Sequence, residues 1–98
     1  MGKIVIVDCG QSIGLAWEEA SKGNIGLHPL SGMCFLPADV NLISNLRMLG
    51  ETKLINIEIE GRTHRQRILR FWHHQTKEKQ LRLLVSFLES RNYQVVTR

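Results

Sequence analysis

The chain is poor in proline, cysteine and aromatic residues and has no long apolar run, and each shortage closes off a class of protein. Among its 98 residues are two prolines and two cysteines, and aromatics make up 6%. No apolar run approaches the ~18 residues of a membrane-spanning helix, so no membrane association is expected. The N-terminus lacks a signal-peptide cleavage pattern. Cys9 and Cys34 stand without a CxxC spacing, and without an export signal they are expected as buried thiols rather than a disulfide. The cytoplasm is the expected compartment. Disorder is excluded too, because 43% hydrophobic and 22% charged residues are ordinary for a globular protein. One domain spanning 1–98 is expected, large enough to bury a core without staples.

Motifs for catalysis and metal binding are also missing. Gly10-x-x-x-Gly14 lacks the Gly-Lys-Ser/Thr ending of a phosphate loop. His28, His64, His73 and His74 form no HxxxH, HxxE or paired Cys/His pattern, and adjacent His73 and His74 point apart in an extended segment. His64 and His73 are about nine strand residues apart, or ~30 Å, too far to act on one phosphate. Cys9 lies near an expected helix start, where a thiol is acidified, but no base stands at a recognisable spacing. No metal, cofactor or catalytic residue is assigned.

What the chain does have is lopsided charge. Its net charge of +4 divides into −3 over residues 1–61 and +7 over residues 62–98. Between Arg62 and Arg82 there are seven Lys/Arg, three His and a single acid, Glu78. Such a stretch suits an acidic partner, with nucleic acid the most specific version. Arg62, Arg65, Arg67, Arg70, Lys77, Lys79 and Arg82 are the candidates to neutralise phosphates, and Trp72 or His73 to stack on a base.

Lys53–Trp72 is the best-specified segment. Ile55, Ile57 and Ile59 alternate with Leu54, Asn56, Glu58 and Glu60, the period-two pattern of a half-buried strand. With Gly61 and Arg62 as the loop of a type II′ turn, Glu58 falls opposite Arg65, Ile55 opposite Ile68 and Leu54 opposite Leu69. That register sets Glu58 and Glu60 against part of the basic charge. It also turns the isoleucines toward the helices, puts Trp72 with them in the core, and leaves Leu54, Leu69 and Phe71 on the uncovered face as a candidate interaction patch.

Elsewhere, the β-branched run Lys3–Val7 predicts a central strand. Ser12 is the expected N-cap of a helix to about Lys22, with Ile13, Ala16, Trp17 and Ala20 on one face. Met33–Leu36 reads as a short strand or packed loop. A second helix is expected from Pro37 or Asp39 to Gly50, with Val40, Leu42, Ile43, Leu46 and Leu49 inward. The last helix runs from about Thr76 to Ser90 on Leu81, Leu84, Val85 and Leu88, with Glu78 and Arg82 paired at i,i+4. Tyr93–Thr97 closes as a strand.

This order matches an α+β, ferredoxin-like βαββαβ plan with an extra helix in the first crossover, and with the first strand beside the second hairpin strand. A five-strand α/β arrangement, in which Met33–Leu36 adds a strand, is the alternative. Three functions are compatible with it. The leading one is a small non-catalytic regulatory or accessory protein that binds nucleic acid through the basic hairpin and the start of the last helix. A homodimeric protein-interaction module, using the Leu54–Leu69–Phe71 face or the edge near Tyr93–Thr97, is the second. The third is a metal-dependent nuclease using Asp8, since some ferredoxin-like nucleases place an acid at the end of the first strand.

Overall fold

The computed structural model describes residues 3–10, 12–18 and 33–98. In chain order they form strands β1 (Lys3–Asp8), β2 (Ile13–Trp17) and β3 (Cys34–Leu36), helix α1 (Val40–Leu46), strands β4 (Gly50–Ile59) and β5 (Arg62–Phe71), helix α2 (Lys77–Ser90) and strand β6 (Gln94–Thr97). The strands make one six-stranded mixed sheet in the order β4-β5-β3-β2-β1-β6. β1 runs antiparallel to β2 and parallel to β6; β5 runs antiparallel to both β3 and β4. The protein is therefore α+β, but its order differs from the ferredoxin-like plan: β2 and β3 stand between β1 and β5.

The main departure from expectation is at residues 13–17, a strand rather than the start of a helix. The turn after β1 is the reason. Gly10 sits at φ 82, its N–H donates to Asp8 Oδ1, and Cys9 N–H donates to the Ser12 carbonyl. That side-chain-supported turn reverses the chain, and Ile13 pairs directly with Asp8. Once reversed, Ile13, Leu15 and Trp17 alternate onto one face, a period-two reading of the residues that also suit a helix. Ala20, Lys22 and the connection Asn24–Gly32 lie outside the described residues, as does His28.

Both helices cover the same sheet face. From the sheet come Ile4, Ile6, Ile13, Leu15, Cys34, Leu36 and Leu69; from the helices come Leu42, Ile43, Leu46, Leu84 and Leu88, all in one buried cluster. Asp39 caps α1 by accepting from Leu42 N–H, which confines Val40 to the first turn, 82% exposed instead of inward. Thr76 caps α2 through Lys79 N–H, and Asn92 at φ 69 ends it, with Tyr93 N–H returning to the Leu88 carbonyl.

The hairpin turns at Glu60-Gly61, with φ 52 and 76, a type I′ turn. Ile59 consequently pairs with Arg62, Asn56 with Arg65, Lys53 with Ile68 and Thr52 with Leu69, two residues away from the sequence-derived register. A two-residue shift preserves facing. Ile55 and Ile57 still share a face with Ile68, and Leu54 shares the other with Leu69. What is inverted is the face the helices choose. β3 pairs Cys34 with Leu69 and Leu36 with Arg67, which turns the Leu69 side toward the helices. Ile57 and Ile68 instead form a second buried cluster with Phe35 on the reverse face, with Ile55 packed against it. The side chain of Ile59 lies outside the described set. Because β3 reaches only Arg67–Leu69, the hairpin beyond Arg67 extends as a two-stranded arm among the described residues.

Candidate nucleic-acid interface

The seven basic candidates separate into distinct regions. Arg62, Arg65 and Arg67 lie on the hairpin arm, whereas Arg70 lies at the other end of β5, about 26 Å from Arg62 at the rise of a strand. Arg65 and Arg67 face the helix side; Arg62 and Arg70 face the reverse. Lys79 and Arg82 are exposed on α2. Lys77 is engaged: its Nζ donates to Asp8 Oδ1 at 2.5 Å and to the Gly10 carbonyl at 2.6 Å.

The anticipated Glu58–Arg65 pair does not form, because the type I′ register sets Glu58 opposite Thr63. Glu78 and Arg82 form no ion pair either. Among the described residues the ion pairs are Lys3–Glu18, Glu51–Lys53 and Asp8–Lys77. The arm's arginines are thus less neutralised than the sequence suggested.

A cleft of about 520 Å³ opens where β5 leaves the sheet. Its walls include Arg70, Trp72, His73, His74, Gln75 and Gln80, with Met33 and Phe71 supplying apolar surface. Local structure explains the arrangement. Gly50 pairs with Phe71 so closely that a Cβ at residue 50 would lie 2.1 Å from the Arg70 carbonyl oxygen, so the β4 backbone presses directly on the end of β5. Trp72 N–H then donates to the Leu49 carbonyl, which anchors the tryptophan's backbone while its side chain stays 61% exposed. Trp72 is accordingly not core, contrary to expectation. Downstream, buried Gln80 donates through Nε2 to the Gln75 carbonyl and pins the connection to α2. The cleft is lined by an aromatic residue, an arginine and two histidines, residue types that stack on planar rings and donate to anions. It can stack a planar ring and hold an adjoining anion.

Gln75, Gln80 and Met33 join the cleft without a motif that marks them. A signal for Gln80 does exist: it precedes Leu84 and Leu88 at four-residue steps on the buried side of α2, where a polar residue needs a hydrogen-bonding reason.

The interaction patch does not survive as a patch. Leu69 is fully buried beneath the helices and Phe71 packs half-buried against the same core, leaving Leu54, 43% exposed, on its own. For Asp8, the Lys77 ammonium and then the Gly10 N–H hold its carboxyl below the usual value. The described residues contain no group of three or more His, Cys, Asp and Glu able to hold a metal ion. Asp8 accepts from the Gly10 N–H within the turn and from Lys77 Nζ of α2. Burial, followed by the Asp8 charge, raises the Cys9 thiol, and burial raises Cys34 strongly. Neither is the acidified thiol a nucleophile requires.

Among the described residues no helix is long and apolar enough to cross a membrane. No protein-family model, no curated protein and no solved structure matches the chain.

Proposed function

We propose that this protein is a small, non-catalytic accessory or regulatory protein that binds single-stranded nucleic acid in the Arg70–Trp72–His73–His74 cleft. The carrying observation is Trp72, a large aromatic held by its backbone yet 61% exposed, which lines one cleft together with Arg70, His73 and His74. Stacking on an aromatic is tolerant of base identity, and a neighbouring cation takes the phosphate. Arg62, Arg65 and Arg67 on the arm, unpaired with acids among the described residues, add attraction for the backbone beyond the cleft. A reducing compartment such as the cytoplasm suits the two free thiols.

Titrating short single-stranded DNA and RNA while following tryptophan fluorescence tests this reading. Quenching is expected at low salt, with log affinity falling linearly against log salt by about 0.7 per phosphate contacted. Trp72→Phe should remove the quench and leave the Trp17 signal. Absence of binding at low ionic strength, or an affinity indifferent to salt, would refute the reading.

A further inference from the structure

Among the described residues β6 is an edge strand, and it lacks the usual guards of one. Its sequence, Gln94-Val-Val-Thr97, holds no charge and no proline, whereas the opposite edge β4 carries Glu51, Lys53 and Glu58. Charges and prolines are the usual guards against edge-to-edge pairing. Arg98 directs both its N–H, to the Ile6 carbonyl, and its carbonyl, to the Asp8 N–H, into β1. By two-residue alternation Val95 and Thr97 direct theirs outward.

Above this edge runs a shallow, largely apolar groove of about 390 Å³ between α2 and β6, lined by Leu81, Arg82, Val85, Ser86, Glu89 and Thr97. Arg82 and Glu89 are seven residues apart, so they lie on one side of the helix about 10 Å apart along its axis. Between them stand Val85 and Ser86, small enough for a second helix to approach. Two such helices laid antiparallel about a point between Val85 and Ser86 bring Arg82 of each onto Glu89 of the other. The stripe is complementary to itself under a two-fold axis.

We infer that the β6 edge and the Arg82–Glu89 stripe of α2 bind a second copy of this chain. Antiparallel strands must pair residues that both point outward or both point inward, and the pairing that uses both outward residues of each strand, Val95 facing Thr97 of the other copy, puts the two-fold axis through Val96. The sheet becomes continuous across the two chains, and both copies of α2 lie side by side on its covered face. A four-residue strand spans about 13 Å, close to the length of the Arg82–Glu89 stripe, so both contacts fit one interface. This interface is separate from the Trp72 cleft.

Sedimentation equilibrium tests it on the full chain. The wild type is expected at twice the mass of the 11.3 kDa chain at micromolar concentration. Val95→Pro removes an outward N–H and leaves β1 pairing intact; it is expected to give a folded monomer, checked by circular dichroism. Arg82→Glu and Glu89→Arg should each raise the dimer dissociation constant about tenfold through like-charge contacts, and R82E/E89R should restore it. The inference is overturned by a wild type that is monomeric at 100-fold higher concentration, by a dimer indifferent to Val95→Pro, or by a double reversal that does not rescue. A monomer that still binds oligonucleotide would overturn this inference alone and leave the cleft reading standing.

Discussion

Lys77 Nζ stands 2.5 Å from Asp8 Oδ1, fastening the first residue of α2 to the turn that ends β1. The carboxyl's pKa is lower folded than unfolded, chiefly through this hydrogen bond and secondarily through Gly10 N–H. Its contribution is complete above the unfolded value of 3.8 and is lost as pH falls through the lower folded value. Asp8→Asn should therefore lower the melting temperature slightly at pH 7. The gap from wild type should narrow as the pH is taken below 3.8, and salt should shrink it as well, since both groups are partly exposed. Thermal melts across pH and salt check this.

The inverted hairpin faces separate two leucines of the same β-ribbon. Leu69→Ala removes a fully buried side chain and should cost about 2–5 kcal/mol. Leu54→Ala, at 43% exposure, should cost about 0.5 kcal/mol or less. Urea unfolding of both variants reads the difference, and equal costs would contradict the observed facing.

Two glycines are irreplaceable for different reasons. At Gly61 a Cβ meets nothing within 4 Å, so Gly61→Ala carries only the penalty of φ 76, about 1–2 kcal/mol. At Gly50 the Cβ would collide with the Arg70 and Phe71 backbone, which cannot give way without opening the β4–β5 ladder. Gly50→Ala should cost at least as much, on the order of 1–3 kcal/mol, and shift the amide resonances around Trp72. Denaturant curves with an NMR amide spectrum discriminate the two.

In the cleft, Trp72→Ala should weaken single-stranded oligonucleotide binding by about 1–3 kcal/mol with its salt slope unchanged. Arg70→Gln should instead reduce that slope by about one phosphate's contribution. Fluorescence anisotropy at several salt concentrations separates stacking from charge.

Both thiols should be silent toward an aromatic disulfide reagent in the native protein. Cys9 is 1% and Cys34 0% exposed, and burial disfavours the thiolate of each. Both react after unfolding in guanidinium. Labelling should thus follow the rate of opening, with Cys9, beside the turn, ahead of Cys34.

How far the sequence can be read depends on which residues decide. The strands Lys3–Asp8 and Gln94–Thr97 and the two helix starts at Asp39 and Thr76 are legible, because alternation and capping chemistry are local. Residues 13–17 are not, since Ile13, Ala16 and Trp17 fit a helix while Ile13, Leu15 and Trp17 fit a strand, and a turn held by Asp8 and Gly10 arbitrates. Glu60 gives no warning of φ 52, as glutamate seldom adopts it, and the sequence pattern alone favours a turn one residue later. The helix-covered side of the hairpin follows from β3, a three-residue strand with almost no pattern of its own. Of the site, Arg70, Trp72 and His73 were visible as residue types. Their convergence was not, because it depends on the closeness of Gly50 to Phe71 and on Gln80 reaching back to Gln75.

The parallel pairing of β1 with β6 matters for mechanics. Lys3 lies against Gln94 and Ile6 against Thr97, so a load applied between residues 3 and 97 pulls the two strands past each other along their length. Their hydrogen bonds then bear the force together instead of parting one at a time as in a peeled hairpin. Stretched between those residues, the sheet should hold until a single abrupt rupture at the β1–β6 seam, while a load across the Glu60-Gly61 hairpin opens it rung by rung.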